Sequence, residues 1–358
     1  MSSTSQPATG SGTRTLRPRG ATAPQRGRAA ATRATVTSLL VVVILALGAG
    51  VAQAADDTAA AEPSGSARRL ALGVSMEAYA SLRKFQSFSR SAGRAPAIWS
   101  MWSDWGGRNS AFPDRGFLNA LRNRGTVPMV FWQPVDPSDR DSDRYRYKRI
   151  IDGRFDRYIR SWARAARDFG GRVLVRFAHE MDGHWFPWGV SRFDNTPARF
   201  VKAWRHIWDI FKGVGATNVK FVWSPNHPCR GCSLYPRIYP GDRYVDYVAF
   251  TEFNWPPPAA WKSMVTRYRP YVRGLEDITR KPIIVAETGT TDQGGDKASW
   301  IRKGYPGVYD AYPRIKAIVY FNIDLRPGQP DWRLTRPAEA MDAYRSILSK
   351  TRFQGVIQ

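Results

Sequence analysis

A single loop brings together the residue types that carry out chemistry on sugars. Glu180 follows the apolar run 173–175, has His179 beside it, and is followed in the same loop by Trp185 and Trp188. Aromatic rings stack on the faces of pyranose rings, and a carboxyl group next to them can donate or accept a proton. These residues indicate a carbohydrate site in which Glu180 transfers a proton and His179 supports the geometry.

A second glutamate, Glu287, has the same placement, because it ends the apolar run 283–286. Two carboxyl groups at strand ends can divide glycoside cleavage between them, one as proton donor and one as nucleophile. Burial against tryptophan raises the pKa of a carboxyl group and so favours Glu180 as the acid/base, whereas hydrogen bonds and nearby cations would keep Glu287 ionised for attack. Glu252 is a third acid near a strand end and the rival candidate for a catalytic role.

Eight apolar, β-branched runs alternate with helix-like segments, which is the pattern of parallel strands covered on both faces. The predicted strands span 70–76, 95–102, 127–133, 172–179, 218–224, 245–253, 282–288 and 315–321. Helices are predicted near 78–91, 114–124, 153–169, 196–213, 259–279, 295–311 and 336–349, and the Pro- and Gly-rich segment 225–243 is predicted to be loop. Eight such units in one domain predict an α/β fold, a TIM (β/α)8 barrel, with a doubly wound open sheet as the alternative.

The carboxyl ends of all barrel strands open on one mouth, so the residues just after each strand should line a common groove. Many of these positions hold tryptophan, and an aromatic-lined groove with a polar floor suits a polysaccharide. No glycine-rich phosphate-binding motif follows any of the predicted strands, which argues against a nucleotide cofactor. The residues expected to contact substrate are Trp102, Trp132, Trp185, Trp188, Trp223, Asn226, Phe253 and Trp255.

The N-terminal region has the composition of an export signal. Residues 1–54 hold six arginines and no acid, then the apolar run 39–51 and a small-x-small cleavage site ending at Ala54. The alternative is an uncleaved membrane anchor with the catalytic domain outside, although the run is shorter than the roughly 20 residues of a membrane span. Residues 55–69 are predicted to be a linker, and residues 70–358 the catalytic barrel.

The chain carries a formal net charge of +24, most of it from arginines spread along the sequence. Even spacing of these arginines argues against a nucleic-acid patch. The excess charge is explained by solvated helix faces or, alternatively, by retention of the protein on an anionic cell wall. The expected partner is therefore a polysaccharide substrate, and the protein is expected to be a monomer.

The only cysteines, Cys229 and Cys232, form a CxxC motif next to His227. Such a pair can be redox-active or half of a zinc site, but no second pair is present and two thiols with one imidazole make an incomplete metal site. A local structural disulfide is the favoured interpretation in an exported protein. No metal and no cofactor are predicted.

These motifs resemble glycoside hydrolase family 26, which contains endo-β-1,4-mannanases and some β-1,3-1,4-glucanases and xylanases. The similarity extends over residues 70–349 and is strongest in RFAHEMDGHWFPWG (176–189) and IVAETG (284–289). The resemblance implies that Glu180 is the acid/base, Glu287 the nucleophile, His179 the family's residue beside the acid/base, and Trp185 a sugar-stacking residue.

Three positions depart from the family pattern. Asp182 stands where the motif usually has Asn, Phe253 occupies the position of a tyrosine that hydrogen-bonds the nucleophile, and Gln133 stands where some mannanases have a histidine. Loss of the tyrosine hydroxyl is expected to slow turnover or shift the pH optimum. All three departures bear on the choice of substrate more than on the fold or the chemistry.

The resulting prediction is a secreted, endo-acting, retaining β-glycoside hydrolase that cleaves β-1,4-mannan by double displacement. A β-1,3-1,4-glucanase of the same family is one alternative. A weakly active cell-wall protein that binds carbohydrate in the same groove is the other. Retention requires the carboxyl groups of Glu180 and Glu287 to lie about 5–5.5 Å apart.

Overall fold

Eight parallel strands close into a barrel in the computed structural model, which describes residues 68–76, 79, 81–257, 259–324 and 329–357. Each strand pairs with the next along the chain, and the last pairs with the first. The predicted TIM barrel is confirmed, and the open sheet is excluded because the barrel is closed. The strands are Ala71–Ser75 (β1), Ile98–Asp104 (β2), Val127–Gln133 (β3), Val173–Phe177 (β4), Val219–Trp223 (β5), Tyr247–Asn254 (β6), Ile283–Thr290 (β7) and Ile315–Phe321 (β8).

Helices cover the outside of the barrel. Side chains of Ser81, Thr196 and Ser263 accept backbone N–H groups at helix starts, and Gly170 and Gly215 end helices in the left-handed conformation that glycine adopts without strain. The helices are Leu82–Ala92 (α1), Arg115–Arg122 (α2), Tyr147–Ile151 (α3), Asp156–Phe169 (α4), Pro197–Val214 (α5), Leu234–Ile238 (α6), Met264–Glu276 (α7), Lys297–Ala311 (α8) and Ala338–Leu348 (α9).

The segment 225–243 was predicted to be loop, and this prediction is wrong for part of it. It contains α6 and the 3₁₀ helix Asp242–Tyr244. Tyr235 and Ile238 of α6 are fully buried, so packing against the barrel stabilises a helix that its proline content does not favour. Tertiary contacts have overridden local propensity here.

Strand alternation separates the interior of the barrel from the layer beneath the helices. On β3, Met129 and Phe131 belong to the cluster that fills the barrel, whereas Val130 and Trp132 belong to the larger cluster between barrel and helices. The same alternation on β4 places Leu174 in the barrel interior. On a regularly alternating strand, neighbouring residues therefore do not both face the groove. On β7, where the pairing shifts register, the interior Ala286 is followed directly by Glu287 at the mouth.

The predicted signal peptide, residues 1–54, and the predicted linker up to residue 67 lie outside the described residues. The first strand begins at Ala71, close to the predicted start of the folded part at residue 70. Among the residues described, none of the helices is long and apolar enough to cross a membrane.

Candidate active site

A cavity of about 210 Å³ opens at the carboxyl end of the barrel, and both glutamates face it. Glu287 comes from β7, and Glu180 comes from the turn that follows β4. The cavity is lined by Trp102, Gln133, Arg140, His179, Glu180, Phe186, Phe253, Trp255, Glu287, Phe321 and Trp332. We call this space the central cavity.

Glu287 is held by hydrogen bonds from inside the barrel. Arg176, which is completely buried on β4, donates from Nη1 to Glu287 Oε2 at 2.6 Å and from Nη2 to the Thr251 hydroxyl at 2.7 Å. The Thr251 oxygen lies 3.3 Å from the same Glu287 oxygen. The Arg176 guanidinium also lies over the Phe131 ring, 4.5 Å from its centroid. Glu287 is thus held in place by a charge-assisted hydrogen bond from a buried guanidinium.

Glu180 has a different environment. The indole N–H of Trp185 donates to Glu180 Oε2 at 2.9 Å, and the Thr251 hydroxyl also hydrogen-bonds this carboxyl group. Burial, and after it the charge of Glu287, raises the pKa of Glu180 to about 7 against the opposing effect of Arg176. At pH 7 Glu180 is therefore protonated in about half of the molecules, which suits a proton donor.

The Thr251 hydroxyl links the two sides of the site. It accepts a hydrogen bond from Arg176 and has one proton that it can donate to either Glu180 or Glu287. Both carboxyl groups therefore lie within reach of a single oxygen atom. The arrangement supports a short distance between them, and the predicted separation of about 5–5.5 Å stays a prediction.

The backbone of the turn after β4 aims Glu180 into the cavity. Ala178 and Glu180 have φ values of 43° and 55°, in the left-handed region that non-glycine residues rarely adopt. The Glu180 N–H donates to the Ser224 carbonyl at 2.8 Å, which ties the turn to the end of β5. Strained residues of this kind cluster at functional sites, where the surrounding structure holds them.

His179 lies in the cavity wall beside Glu180 and is 4% exposed. Its ring packs against Phe131, Phe186 and Trp188, and burial, followed by the nearby Arg176 charge, lowers its pKa well below the usual value. The imidazole is therefore neutral. Its Nδ1 is buried and has no hydrogen-bond partner among the described residues.

Five of the eight residues predicted to contact substrate lie in the cavity wall or in the loops around the cavity mouth. Trp102, Phe253 and Trp255 line the central cavity, and Trp185 is bonded to Glu180 with 43% of its surface exposed. Asn226 is half-buried, and its backbone N–H donates to the Asp182 carboxylate at 2.8 Å.

The other three predicted contact residues are buried and do not line the cavity. Trp132 donates to the Tyr158 hydroxyl at 3.0 Å beneath the helices, and Trp223 donates to the Ile238 carbonyl at 3.0 Å. Trp188 donates to the His179 carbonyl at 2.7 Å and stacks on Phe186, which does line the cavity. These three rings support the site from behind, and the expectation that they stack on sugar is corrected.

Glu252, the rival acid, faces away from the central cavity. Its carboxylate accepts from Arg267 Nη1 at 3.0 Å and from the Tyr271 hydroxyl at 2.6 Å, and both partners are on α7. Because Thr251 faces the barrel interior, strand alternation turns Glu252 outward. This carboxylate serves packing of the helix against the barrel.

Cys229 and Cys232 form a disulfide, with their Cα atoms 5.3 Å apart. Cys229 is buried, and the loop that holds the pair follows β5 beside the central cavity. Within the part of the chain that the structure describes, no group of three or more His, Cys, Asp and Glu side chains could hold a metal ion.

Several cavity residues were missed from the sequence. Arg176, Thr251, Phe186, Phe321 and Trp332 all contribute to the site or to its hydrogen bonds. Alternation along a strand offers a signal for the first two. Arg176, for example, is two residues from the interior Leu174 and should therefore face the barrel interior as well. Trp332 lies in the connection after β8, and its approach to the cavity depends on the loop conformation alone.

Comparison with known proteins shows which family part of the chain resembles and which fold it shares. Residues 139–270 match the model of glycosyl hydrolase family 26. The chain is 34% identical to Endoglucanase H of Acetivibrio thermocellus over 240 residues, which are 65% of this chain and 25% of that protein. It is 28% identical over 217 residues to the mannan endo-1,4-β-mannosidase A and B of Caldalkalibacillus mannanilyticus, 58% of this chain and 37% of that protein. The chain thus spans about a quarter to a third of the length of these relatives.

Solved structures share the barrel. The catalytic domain of a Bacillus family 26 endo-β-1,4-mannanase superposes with a TM-score of 0.62 at 17% identity, covering 81% of this chain and 88% of that one. A family 26 β-mannanase from Bacteroides ovatus gives a TM-score of 0.59 at 17% identity, covering 81% and 91%. At this identity the superpositions show the fold, and with the sequence matches they confirm the predicted resemblance.

Proposed function

We propose that this chain, whose resemblance to glycoside hydrolase family 26 is confirmed, is an endo-acting β-glycoside hydrolase that works with retention of configuration. Glu180 donates a proton to the leaving oxygen while Glu287 attacks the anomeric carbon and forms a glycosyl-enzyme. Glu180, now ionised, then takes a proton from water, which hydrolyses the intermediate and regenerates both groups. The observation that carries this proposal is the contrast between a carboxyl group with a pKa near 7 and a hydrogen-bonded partner at one cavity.

The neutral His179 and the aromatic wall support a sugar in the cavity. His179 lines the central cavity together with the rings of Phe253, Trp255 and Trp332. Aromatic faces and a few polar groups are the usual composition of a carbohydrate site.

The role of each glutamate can be tested by substitution. Glu287→Ala should abolish turnover of every substrate. Glu180→Ala should lower kcat/KM for polysaccharide about 10²–10⁴-fold, the usual contribution of general acid–base catalysis. It should spare glycosyl-enzyme formation from a dinitrophenyl glycoside, whose leaving group needs no proton. Glu339→Ala, at an exposed position on α9, is the matched control.

Two outcomes would contradict the assignment. Near-normal activity of Glu287→Ala would return Glu252 to consideration as the nucleophile. An inverted first product, observed by proton NMR of the anomeric signals early in the reaction, would exclude double displacement.

The substrate has two candidates. The motif resemblance favours β-1,4-mannan, and three of the matched relatives carry mannanase names. The specific observation that favours a β-glucan is the 34% identity to Endoglucanase H, against 28%, 25% and 26% for those three mannanases. Reducing-sugar release from mannan, glucomannan, lichenan and xylan decides between them, and release from none would favour a binding protein with little activity.

We place the protein outside the cell, as a further part of this proposal. The support is the basic and apolar N-terminal region together with the Cys229–Cys232 disulfide, which persists in oxidising compartments. N-terminal sequencing of the protein from culture medium should find the chain starting after Ala54. Recovery of an uncleaved chain in the membrane fraction would favour the anchor, and binding of the purified barrel to isolated cell walls at low salt would test retention by charge.

A further inference from the structure

The loop at 225–233, which we call the disulfide loop, is attached to the acid/base turn by one carboxylate. Asp182 lies two residues after Glu180, and its side chain is completely buried. Its Oδ1 accepts the N–H of Asn226 at 2.8 Å, and its Oδ2 accepts the N–H of His227 at 2.8 Å. An asparagine side chain has one carbonyl oxygen and could not accept both hydrogen bonds on separate oxygens. The aspartate at this position therefore builds a connection that the usual motif residue cannot.

Asp182 also orients the His227 side chain. The imidazole Nδ1 lies 3.4 Å from Asp182 Oδ2. Hydrogen bonding to Asp182, opposed by burial and aided by the charges of Asp182 and Glu180, raises the pKa of His227. The imidazole thus gains positive charge more readily than a free histidine, and the charged groups that face it are these two carboxyl groups.

His227 in turn contacts the ring that holds Glu180. Its ring centroid lies 5.4 Å from that of Trp185 at an interplanar angle of 50°. Trp185 is 43% exposed, so a few contacts must fix its orientation, and its indole N–H makes the 2.9 Å hydrogen bond to Glu180. A chain of contacts therefore runs from Asp182 through His227 and Trp185 to the carboxyl group.

The disulfide closes the loop directly after His227. Cys229 is 6% exposed and packs against α7 so closely that a Cβ on Gly274 would lie 3.0 Å from the Cys229 carbonyl. Tyr235 on α6 donates its hydroxyl to the His227 carbonyl. His227 is thus held on its backbone from both sides, which gives its ring a defined position against Trp185.

We infer that Asp182 and His227 are positioning residues for Trp185, and that through its indole N–H they set the protonation range of Glu180. The inference rests on the proposed function, because it concerns how the acid/base is tuned. The Trp185 hydrogen bond and a positive charge on His227 both favour ionised Glu180. Removing His227 should weaken both effects and let Glu180 keep its proton to higher pH.

The experiment is the pH dependence of kcat/KM for the polysaccharide that the panel identifies, since this parameter reports the free enzyme's ionisations. In His227→Ala the basic limb should move upward by about half a pH unit or more, a shift that corresponds to loss of one weak interaction. Asp182→Asn should move the limb in the same direction, because it removes one of the acceptors that hold His227 against Trp185. A variant that merely lost stability would not move the basic limb.

His184→Ala is the matched control. The His184 ring is also 5.4 Å from Trp185, edge-on at 68°, but in the described residues it has no bond to Asp182. This variant should leave the basic limb in place. Thermal unfolding of each variant, measured in parallel, identifies any that fails to fold, and in that case the Asp182→Asn shift decides the question.

An unchanged basic limb in folded His227→Ala and Asp182→Asn would overturn the inference, as would an equal shift in His184→Ala. A lower kcat/KM with the limb in place would mean that His227 contacts the sugar instead of positioning Trp185. Failure of the proposed function is seen separately, because Glu180→Ala would then retain activity on polysaccharide.

Discussion

The two carboxyl groups of the central cavity are supported by regions of opposite character. Glu287 accepts a hydrogen bond of 2.6 Å from the guanidinium of a fully buried arginine inside the barrel. Glu180 accepts one of 2.9 Å from the indole N–H of a tryptophan that is 43% exposed. One support is charged and inside the barrel, and the other is neutral and on a surface loop. Identical side chains thus have different surroundings: a buried cation donates a hydrogen bond to Glu287, and burial raises the pKa of Glu180.

The same contrast extends to the loops behind each side. On the nucleophile side, the buried Lys297 donates to the carbonyls of Asp331, Arg333 and Arg336 at 3.2, 3.0 and 2.6 Å, which anchors the connection that carries Trp332. On the acid/base side, the disulfide loop is held by Asp182. A site of this design combines a firmly held Glu287 with a Glu180 whose surroundings can be altered from the surface.

Replacement of Arg176 should have the largest effect. Arg176→Met leaves the Glu287 charge buried with Thr251 as its main remaining partner, and breaking a buried ion pair in this way costs about 3–5 kcal/mol of stability. The free energy of unfolding at pH 7, measured with guanidinium chloride, should fall by that amount, and turnover should be lost. The effect would show that the barrel interior, and not the loop, holds the nucleophile.

Arg160→Met is the control for this prediction. Arg160 pairs with Asp156 at 2.9 Å on the surface of α4, and exposed pairs of this kind contribute about 0.2–1 kcal/mol. A loss below about 1 kcal/mol in Arg176→Met, equal to the control, would contradict the role given to Arg176.

Glu180→Gln should stabilise the protein in alkaline solution. In the folded state Glu180 holds its proton up to a pKa of about 7, while in the unfolded chain it releases the proton near its ordinary value of 4.5. Since the folded pKa is raised, ionisation in the folded state destabilises the protein, and stability falls as the pH rises between these two values. The glutamine variant lacks this loss, and at pH 8 it should be more stable by up to about 3 kcal/mol while being nearly inactive.

Glu252→Gln is the matched control, because burial also raises the pKa of Glu252 but Arg267 pairs with it at 3.0 Å. Its raised pKa acts in the same direction as that of Glu180, but the Arg267 charge opposes it, so the gain in stability at pH 8 should be smaller than in Glu180→Gln. Urea unfolding of all three proteins at pH 5 and pH 8 gives the comparison. Equal pH dependence of stability in the parent and in Glu180→Gln would mean that ionisation of Glu180 does not lower the stability of the folded protein.

The sequence predicted the frame of the site because that frame depends on local pattern. The apolar runs 173–175 and 283–286, which precede Glu180 and Glu287, identify buried strands and put both acids at one mouth. Alternation would also have placed two tryptophans correctly: Gln133 faces the cavity, so its neighbour Trp132 must face the helices, and Trp223 follows the interior Val222. The sequence prediction gave more weight to the residue type, tryptophan, than to this alternation.

The rest depended on chain conformations that no local pattern encodes. The left-handed Ala178 and Glu180 aim the acid/base, and neither residue type favours that region. Thr251 reaches both carboxyl groups because the pairing of β6 with β7 shifts register between Phe250 and Thr251, which sets Thr251 opposite Glu287. The role of Asp182 depends on hydrogen bonds to two residues that lie 44 and 45 positions further along the chain. Such features follow from the assembled barrel and from long-range hydrogen bonds.

Phe253→Tyr should have the smallest effect and tests whether the nucleophile side is complete. Phe253 pairs with Gly289 in register, two residues beyond the pair formed by Thr251 and Glu287, and its ring lies 4.8 Å from that of Trp332 in the cavity wall. The hydrogen bonds that Glu287 accepts from Arg176 and Thr251 both go to Oε2, so a tyrosine hydroxyl could donate to the other oxygen. One added bond to the ionised form should extend the acidic limb of kcat/KM to lower pH by about half to one unit. Phe321→Tyr, at a neighbouring ring of the same cavity, should leave the limb in place. An unchanged limb in Phe253→Tyr would mean that the ring points away from Glu287 and that Arg176 and Thr251 already replace the family's tyrosine.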